Sequence, residues 1–102
     1  MIAPCRSVSP DEIVAQLLKS FGKDSIERVW LFPIDSSEEC PWSKMPPESN
    51  CKYLVDLLNT FKKNGLKTGI CALDYYWFLI FGDVAACPEV ATELLAWFPL
   101  DE

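Results

Sequence analysis

The chain has 102 residues, 50% of them hydrophobic and 13% aromatic, with 9 Lys+Arg against 15 Asp+Glu, a formal net charge of −6 and no histidine. This is enough apolar material for a single domain with a real core, and too much for a disordered chain. The absent histidine removes Ser-His-Asp and Cys-His catalysis and every His-containing metal site, so an enzyme built from this chain would take its acids and bases from carboxylates.

The acidic charge is spread evenly, and the only basic cluster is Lys62, Lys63 and Lys67. Phosphate recognition depends on clustered Lys and Arg, so nucleic acid is not an expected partner. The longest apolar run, Tyr75 to Phe81, is far short of the roughly 20 residues that span a bilayer, and no membrane partner is expected. The start Met1-Ile2-Ala3-Pro4-Cys5-Arg6 lacks the basic opening and apolar centre of a signal peptide, so localisation stays open.

In chain order, Ser9-Pro10-Asp11-Glu12 is a helix start, with Ser9 as N-cap, Pro10 at the first helical position and Glu12 completing a capping box. Ile13, Leu17 and Phe21 then recur at four-residue spacing with Val14 and Leu18 beside them, one buried stripe ended by Gly22. Ile26 to Phe32 is β-branched and aromatic and stops at Pro33, which predicts a short buried strand. Asp35 to Asn50 is a Ser/Glu/Pro-rich loop at the carboxyl end of that strand, where α/β folds build their sites.

A second helix is predicted from about Asn50 to Asn64, with Tyr53, Leu54, Leu57, Leu58 and Phe61 on one face, Lys62 and Lys63 in the last turn and Gly65 just beyond. Leu66 to Ala72 reads as another strand, and Tyr75 to Phe81 as a short apolar helix or turn closed by Gly82. The stretch Pro88 to Trp97 suits a helix, while Leu94 to Phe98 alone suits a strand. A strand, helix, strand order with a crossover of this length calls for a parallel sheet.

The five cysteines, at 5, 40, 51, 71 and 87, are not in CxxC spacing, so neither a metal centre nor a cofactor is expected. Cys40 and Cys51 bracket a loop containing Pro41, Pro46 and Pro47; a local disulfide would close it, and the alternative is two reduced thiols. The odd count leaves at least one thiol unpaired, and the pairing of Cys5, Cys71 and Cys87 is open.

Several short motifs, taken in order, resemble one family. Val29-Trp30-Leu31, Ile34-Asp35-Ser36-Ser37, Cys40-Pro41-Trp42 and Asn50-Cys51 are similar to the middle of family-25 glycoside hydrolases, the Chalaropsis-type lysozymes, closest to their cysteine-containing invertebrate and protist branch. Asn64-Gly65-Leu66-Lys67-Thr68-Gly69-Ile70, then Tyr75-x-Trp77 with Ile80-Phe81-Gly82, Cys87-Pro88 and Leu95-Ala96-Trp97-Phe98 resemble the later segments of the same family domain. The resemblance covers nearly the whole chain, 1–102, as a single partial lysozyme-like domain. It implies an α/β fold: a partial β/α (TIM-like) barrel, about the C-terminal half, with parallel strands and crossover helices. Such barrels take about 200 residues or more, so the first strands and the aspartate on the first of them are expected to be missing.

The same resemblance implies a protein related to peptidoglycan-hydrolysing muramidases, with peptidoglycan or a related polysaccharide as partner. In that family a glutamate of an Asp-x-Glu pair protonates the leaving oxygen. One residue is inserted after Trp30-Leu31: with the Ile-x-Ser-Ser side in register, Pro33 stands where the family aspartate belongs and Asp35 where the glutamate belongs, whereas in register from Trp30 both carboxylates are lost. Asp35 is thus the catalytic candidate, one methylene short, with impaired activity expected because displacements of about 1 Å cost on the order of a hundredfold. Cys71 takes the place of a family tyrosine, and Glu38 and Glu39 are expected to be solvated loop charges. Trp42 is the candidate sugar platform, with Trp30, Trp77 and Trp97 as core. The alternative is a non-catalytic sugar-binding or interaction module. Exposed strand edges are expected to favour self-association.

Overall fold

The computed structural model describes residues 2–35, 37–82, 87 and 95–98. It is a mixed α/β fold: α1 (Pro10–Ser20), β1 (Val29–Leu31), α2 (Pro47–Lys63), β2 (Thr68–Leu73), α3 (Asp74–Phe81) and β3 (Leu95–Phe98), with a 3-10 turn at Lys23–Ser25 before β1. The strands lie in the order β1-β2-β3 and every pairing is parallel. Ile2 adds a parallel bridge to Leu31 on the far side of β1, its N–H donating to Trp30 O at 2.8 Å and its carbonyl accepting from Phe32 N at 2.8 Å. The parallel sheet expected from the strand, helix, strand order is therefore present.

Helix α1 starts as expected. Ser9 is extended and its Oγ accepts from Glu12 N at 3.4 Å, with Pro10 at the first position. The Glu12 carboxylate instead accepts from Gln16 Nε2 at 3.1 Å, an i to i+4 pair along the helix. Only Val14 of this helix is fully buried, while Ile13, Leu17 and Leu18 are half-covered and Phe21 is 57% exposed. The stripe is present, with Ile13, Leu17 and Leu18 packed against the core and Phe21 left exposed.

The strand after it is shorter than expected. Ile26 follows the 3-10 turn, so only Val29–Leu31 pairs with β2. Helix α2 begins at Pro47, a turn earlier than Asn50, because proline lacks only an N–H that the first turn would leave unbonded. Its end matches the sequence closely: Gly65 takes φ +77°, its N–H reaches Lys62 O at 2.9 Å, and Leu66 N reaches Phe61 O at 3.0 Å. This is a Schellman ending, with Leu66 and Phe61 buried together. α3 is a helix closed by Gly82 at φ +85°. Leu95–Phe98 is a strand; the helical reading of 88–94 lies outside the described residues.

The core gathers Val14 of α1, Tyr53, Leu54, Leu57, Leu58 and Phe61 of α2, Trp77, Ile80 and Phe81 of α3, and Val29, Leu31 and Ile70 of the sheet. Fully burying each of these side chains contributes about 1.5–3 kcal/mol, so helix α2, with five of them, is the element that holds the layers together. Trp77 is core as expected, whereas Trp30 lies half-buried outside this cluster. The side chain of Trp97 lies outside the described residues.

Candidate functional site

The loop at the carboxyl end of β1 is ordered by the groups that a site would need free. Pro33 is buried, and Asp35, two residues on, turns its carboxylate back into the loop. Its Oδ1 accepts from Trp42 N at 2.7 Å and Ser43 N at 2.9 Å, and its Oδ2 accepts from Ser43 Oγ. Burial pushes the Asp35 carboxyl up, but these Ser43 and Trp42 hydrogen bonds and the Lys44 charge outweigh it and hold it below the ordinary value. A glycosidase acid needs the opposite shift, because it must still carry its proton near neutral pH. Asp35 is ionised there and acts as a cap for the turn at residues 42–43.

Trp42 does not present a sugar platform. Its ring is fully buried, Nε1 donates to Pro4 O at 2.9 Å, and its faces meet Tyr53 edge-on at 5.3 Å and Phe81 at 6.4 Å. The indole N–H finds a carbonyl inside the fold, which allows a loop tryptophan to join the core. Glu38 and Glu39 are exposed, as expected of solvated loop charges. Beside Asp35 lies an open depression of about 290 Å³, edged by Ser37, Glu38, Pro41 and Lys44.

The disulfides correct the expected local pairing of Cys40 with Cys51. Cys40 is bonded to Cys5 with Cα atoms 4.7 Å apart, and Cys51 to Cys87 with Cα atoms 5.7 Å apart. Cys5 comes after the bridge at Ile2 and Cys40 after β1, so two neighbouring parallel segments deliver their ends to the same side of the sheet. Ser7 Oγ donates to Glu39 O beside the first bond. Cys71 is the remaining thiol; it is buried, and burial pushes it up, away from nucleophilic character.

The polar centre of this end of the molecule is Asn50, which in the sequence stands out only as part of an Asn-Cys pair. It is fully buried. Its Nδ2 donates to Trp42 O at 2.8 Å and Ile80 O at 2.9 Å, with Met45 O at 3.3 Å, and its Oδ1 accepts from Arg6 Nε at 2.9 Å. Arg6 also donates to Ser49 Oγ and lies 4.6 Å over the Tyr53 ring. The Tyr53 hydroxyl lies 2.6 Å from Val8 O and 3.0 Å from Cys5 O. Burial pushes Tyr53 up to about 12, against the opposing charge of Arg6.

Asn50 thus ties three segments together: the N-terminal segment through Arg6, the β1 loop through Trp42, and α3 through Ile80. Among the described residues no buried side-chain nitrogen or oxygen lacks a partner, and no group of three or more His, Cys, Asp or Glu is placed to hold a metal. Nor is any described helix long and apolar enough to cross a membrane. The arrangement can fix a loop, and its one ionised carboxylate, Asp35, has both oxygens taken by Trp42 and Ser43. No family model, no curated protein and no solved structure matches this chain.

Proposed function

We propose that the chain is a lysozyme-like domain, related to the peptidoglycan-hydrolysing muramidases of family-25 glycoside hydrolases, whose hydrolytic activity is impaired. The strand arc, with parallel neighbours in chain order, is taken as part of a β/α barrel. What supports the ancestry is the run of motifs from Val29 to Phe98 in family order. What supports the loss of activity is one observation: the Asp35 carboxylate is engaged by Trp42 and Ser43 and held in its ionised form. An ionised acid bonded into its own loop has no proton for a leaving oxygen.

A non-catalytic module is the second reading, and the buried Trp42 favours interaction with protein over a stacked sugar. Clearance of peptidoglycan suspensions by the purified chain tests both. The expected result is turnover at the buffer rate, unchanged in Asp35→Asn. Lysis that disappears in Asp35→Asn would restore Asp35 as a catalytic acid. Sedimentation with insoluble peptidoglycan without turnover would support a sugar-binding module instead.

A further inference from the structure

Of the four glycines only Gly65 follows an asparagine. An Asn-Gly pair is chemically labile, because glycine carries no side chain to hinder attack by its amide nitrogen on the asparagine Cγ. Asn50 and Asn59 are followed by Cys51 and Thr60, whose side chains crowd that approach. Asn50 is also fully buried, with its Nδ2 bonded to three carbonyls. Asn64 is half-buried and Gly65 exposed, so water reaches this pair.

The end of α2 holds the two reacting groups apart. Asn64 Nδ2 donates to Thr60 O at 2.8 Å, which turns the side-chain amide back along the helix. Gly65 N–H donates to Lys62 O at 2.9 Å and Leu66 N–H to Phe61 O at 3.0 Å. With Asn64 at φ −91° and ψ 8°, the Gly65 nitrogen eclipses the backbone nitrogen of Asn64. Closing a ring on Cγ requires turning ψ by about a third of a turn, and that rotation carries Gly65 and Leu66 away from both carbonyls. A hindering side chain cannot take the place of Gly65 without strain, because its φ is +77°. The residue that stops the helix is therefore the one that makes the pair labile.

We propose that Asn64-Gly65 is a self-modification site gated by the fold, at which the chain loses ammonia and forms isoaspartate when the end of α2 opens. The Gly65 amide nitrogen gives its proton to hydroxide and attacks Asn64 Cγ. The Cγ–Nδ2 bond breaks, Nδ2 takes a proton from water and leaves as ammonia, and a five-membered succinimide remains. One water then opens the ring: breaking the Cγ–N bond gives aspartate, and breaking the bond from the Asn64 backbone carbonyl to nitrogen gives isoaspartate. The net change exchanges the side-chain amino group for a hydroxyl, with no electron transferred. Isoaspartate routes the main chain through Cβ and Cγ, one methylene longer, so Leu66 no longer returns to Phe61 and the ending cannot reclose. Helix ends are the first parts of a fold to open; the modification makes permanent an opening that otherwise reverses. It stands independently of any hydrolytic role of the chain.

Incubation of the full, disulfide-intact chain in mildly alkaline buffer, with and without denaturing urea, provides the test. Peptide mapping reads the exchange of nitrogen for oxygen at position 64, and isoaspartate-specific methyl transfer reads the linkage. The expected product forms at Asn64 and not at Asn50 or Asn59, at least about tenfold more slowly in the folded chain than in urea, because the rate follows the open population. Leu66→Ala, which loosens the ending without touching the pair, should raise the rate in the folded chain toward that in urea. Asn64→Gln, whose ring would need one more member, should give no product over the same period. Equal rates with and without urea, no product at Asn64 in urea, or a folded Leu66→Ala chain that reacts no faster would each overturn the proposal. The urea comparison on the unaltered chain decides the matter even if Leu66→Ala fails to fold.

Discussion

Two regions of this molecule treat their side chains in opposite ways. Around Asn50, at the loop end of β1, the polar groups are bonded and the aromatic rings are enclosed. Along the flank of Ile2, Leu17, Phe21 and Trp30, apolar groups lie half-covered beside outward-pointing backbone polar groups. A parallel α/β sheet ordinarily reserves its strand ends for chemistry and closes its flanks. Here the strand ends are closed and, among the described residues, the flank beside β1 is the open part.

The contrast can be broken or sharpened by substitution. Trp42→Ala should cost the most, about 3–5 kcal/mol in urea unfolding, because it empties the centre of the closed region; a loss under about 1 kcal/mol would mean that the loop is not part of the core. Asn50→Ala should cost about 3 kcal/mol by leaving the Trp42 and Ile80 carbonyls and the Arg6 guanidinium without their partner. A neutral result there would remove Asn50 from its linking position.

Asp35→Asn should cost roughly 1–2 kcal/mol through weaker bonds from Ser43 and Trp42. Because the folded Asp35 value is depressed, its contribution is present above the unfolded value of about 4 and is lost as pH falls through the folded one. The variant should flatten the acid limb of a melting profile, and an unchanged limb would contradict the cap. Tyr53 gives the opposite limb. Its folded value is raised from 10.0 to about 12, so its stabilisation is full below pH 10 and is lost as pH climbs through that interval. Tyr53→Phe should be less sensitive there while costing about 1 kcal/mol at neutral pH. The smallest effect belongs to the open region: Phe21→Ser should change the stability of the isolated chain by less than about 0.5 kcal/mol. A larger loss would show that Phe21 is already packed.

What the sequence discloses depends on how locally each feature is determined. The end of α2 is set by Lys62, Lys63 and Gly65, all within one turn, and is directly legible. The disulfides depend on which strand ends lie side by side, so spacing points Cys40 to its neighbour in sequence, Cys51, and not to Cys5, its neighbour in space. Trp42 reads as a surface ring because it sits in a proline-rich loop, and only the carbonyl of Pro4 explains its burial. Asn50 gives no signal, because polarity at a helix start usually means solvent. The α1 stripe is legible, but periodicity says that a face wants cover and not whether this chain provides it. Of the proposed site only the position of Asp35 is readable; the direction of its proton affinity comes from Ser43.

Gly69 carries a consequence for how this sequence can vary. A Cβ there would come within 2.7 Å of the Trp30 ring, so the ring holds its place only while position 69 bears no side chain. Substitutions at the two positions should therefore be strongly non-additive. Gly69→Ala should be damaging beside tryptophan and nearly harmless beside leucine at position 30, so the pair can drift only in a fixed order, with the large residue shrinking before the small one grows.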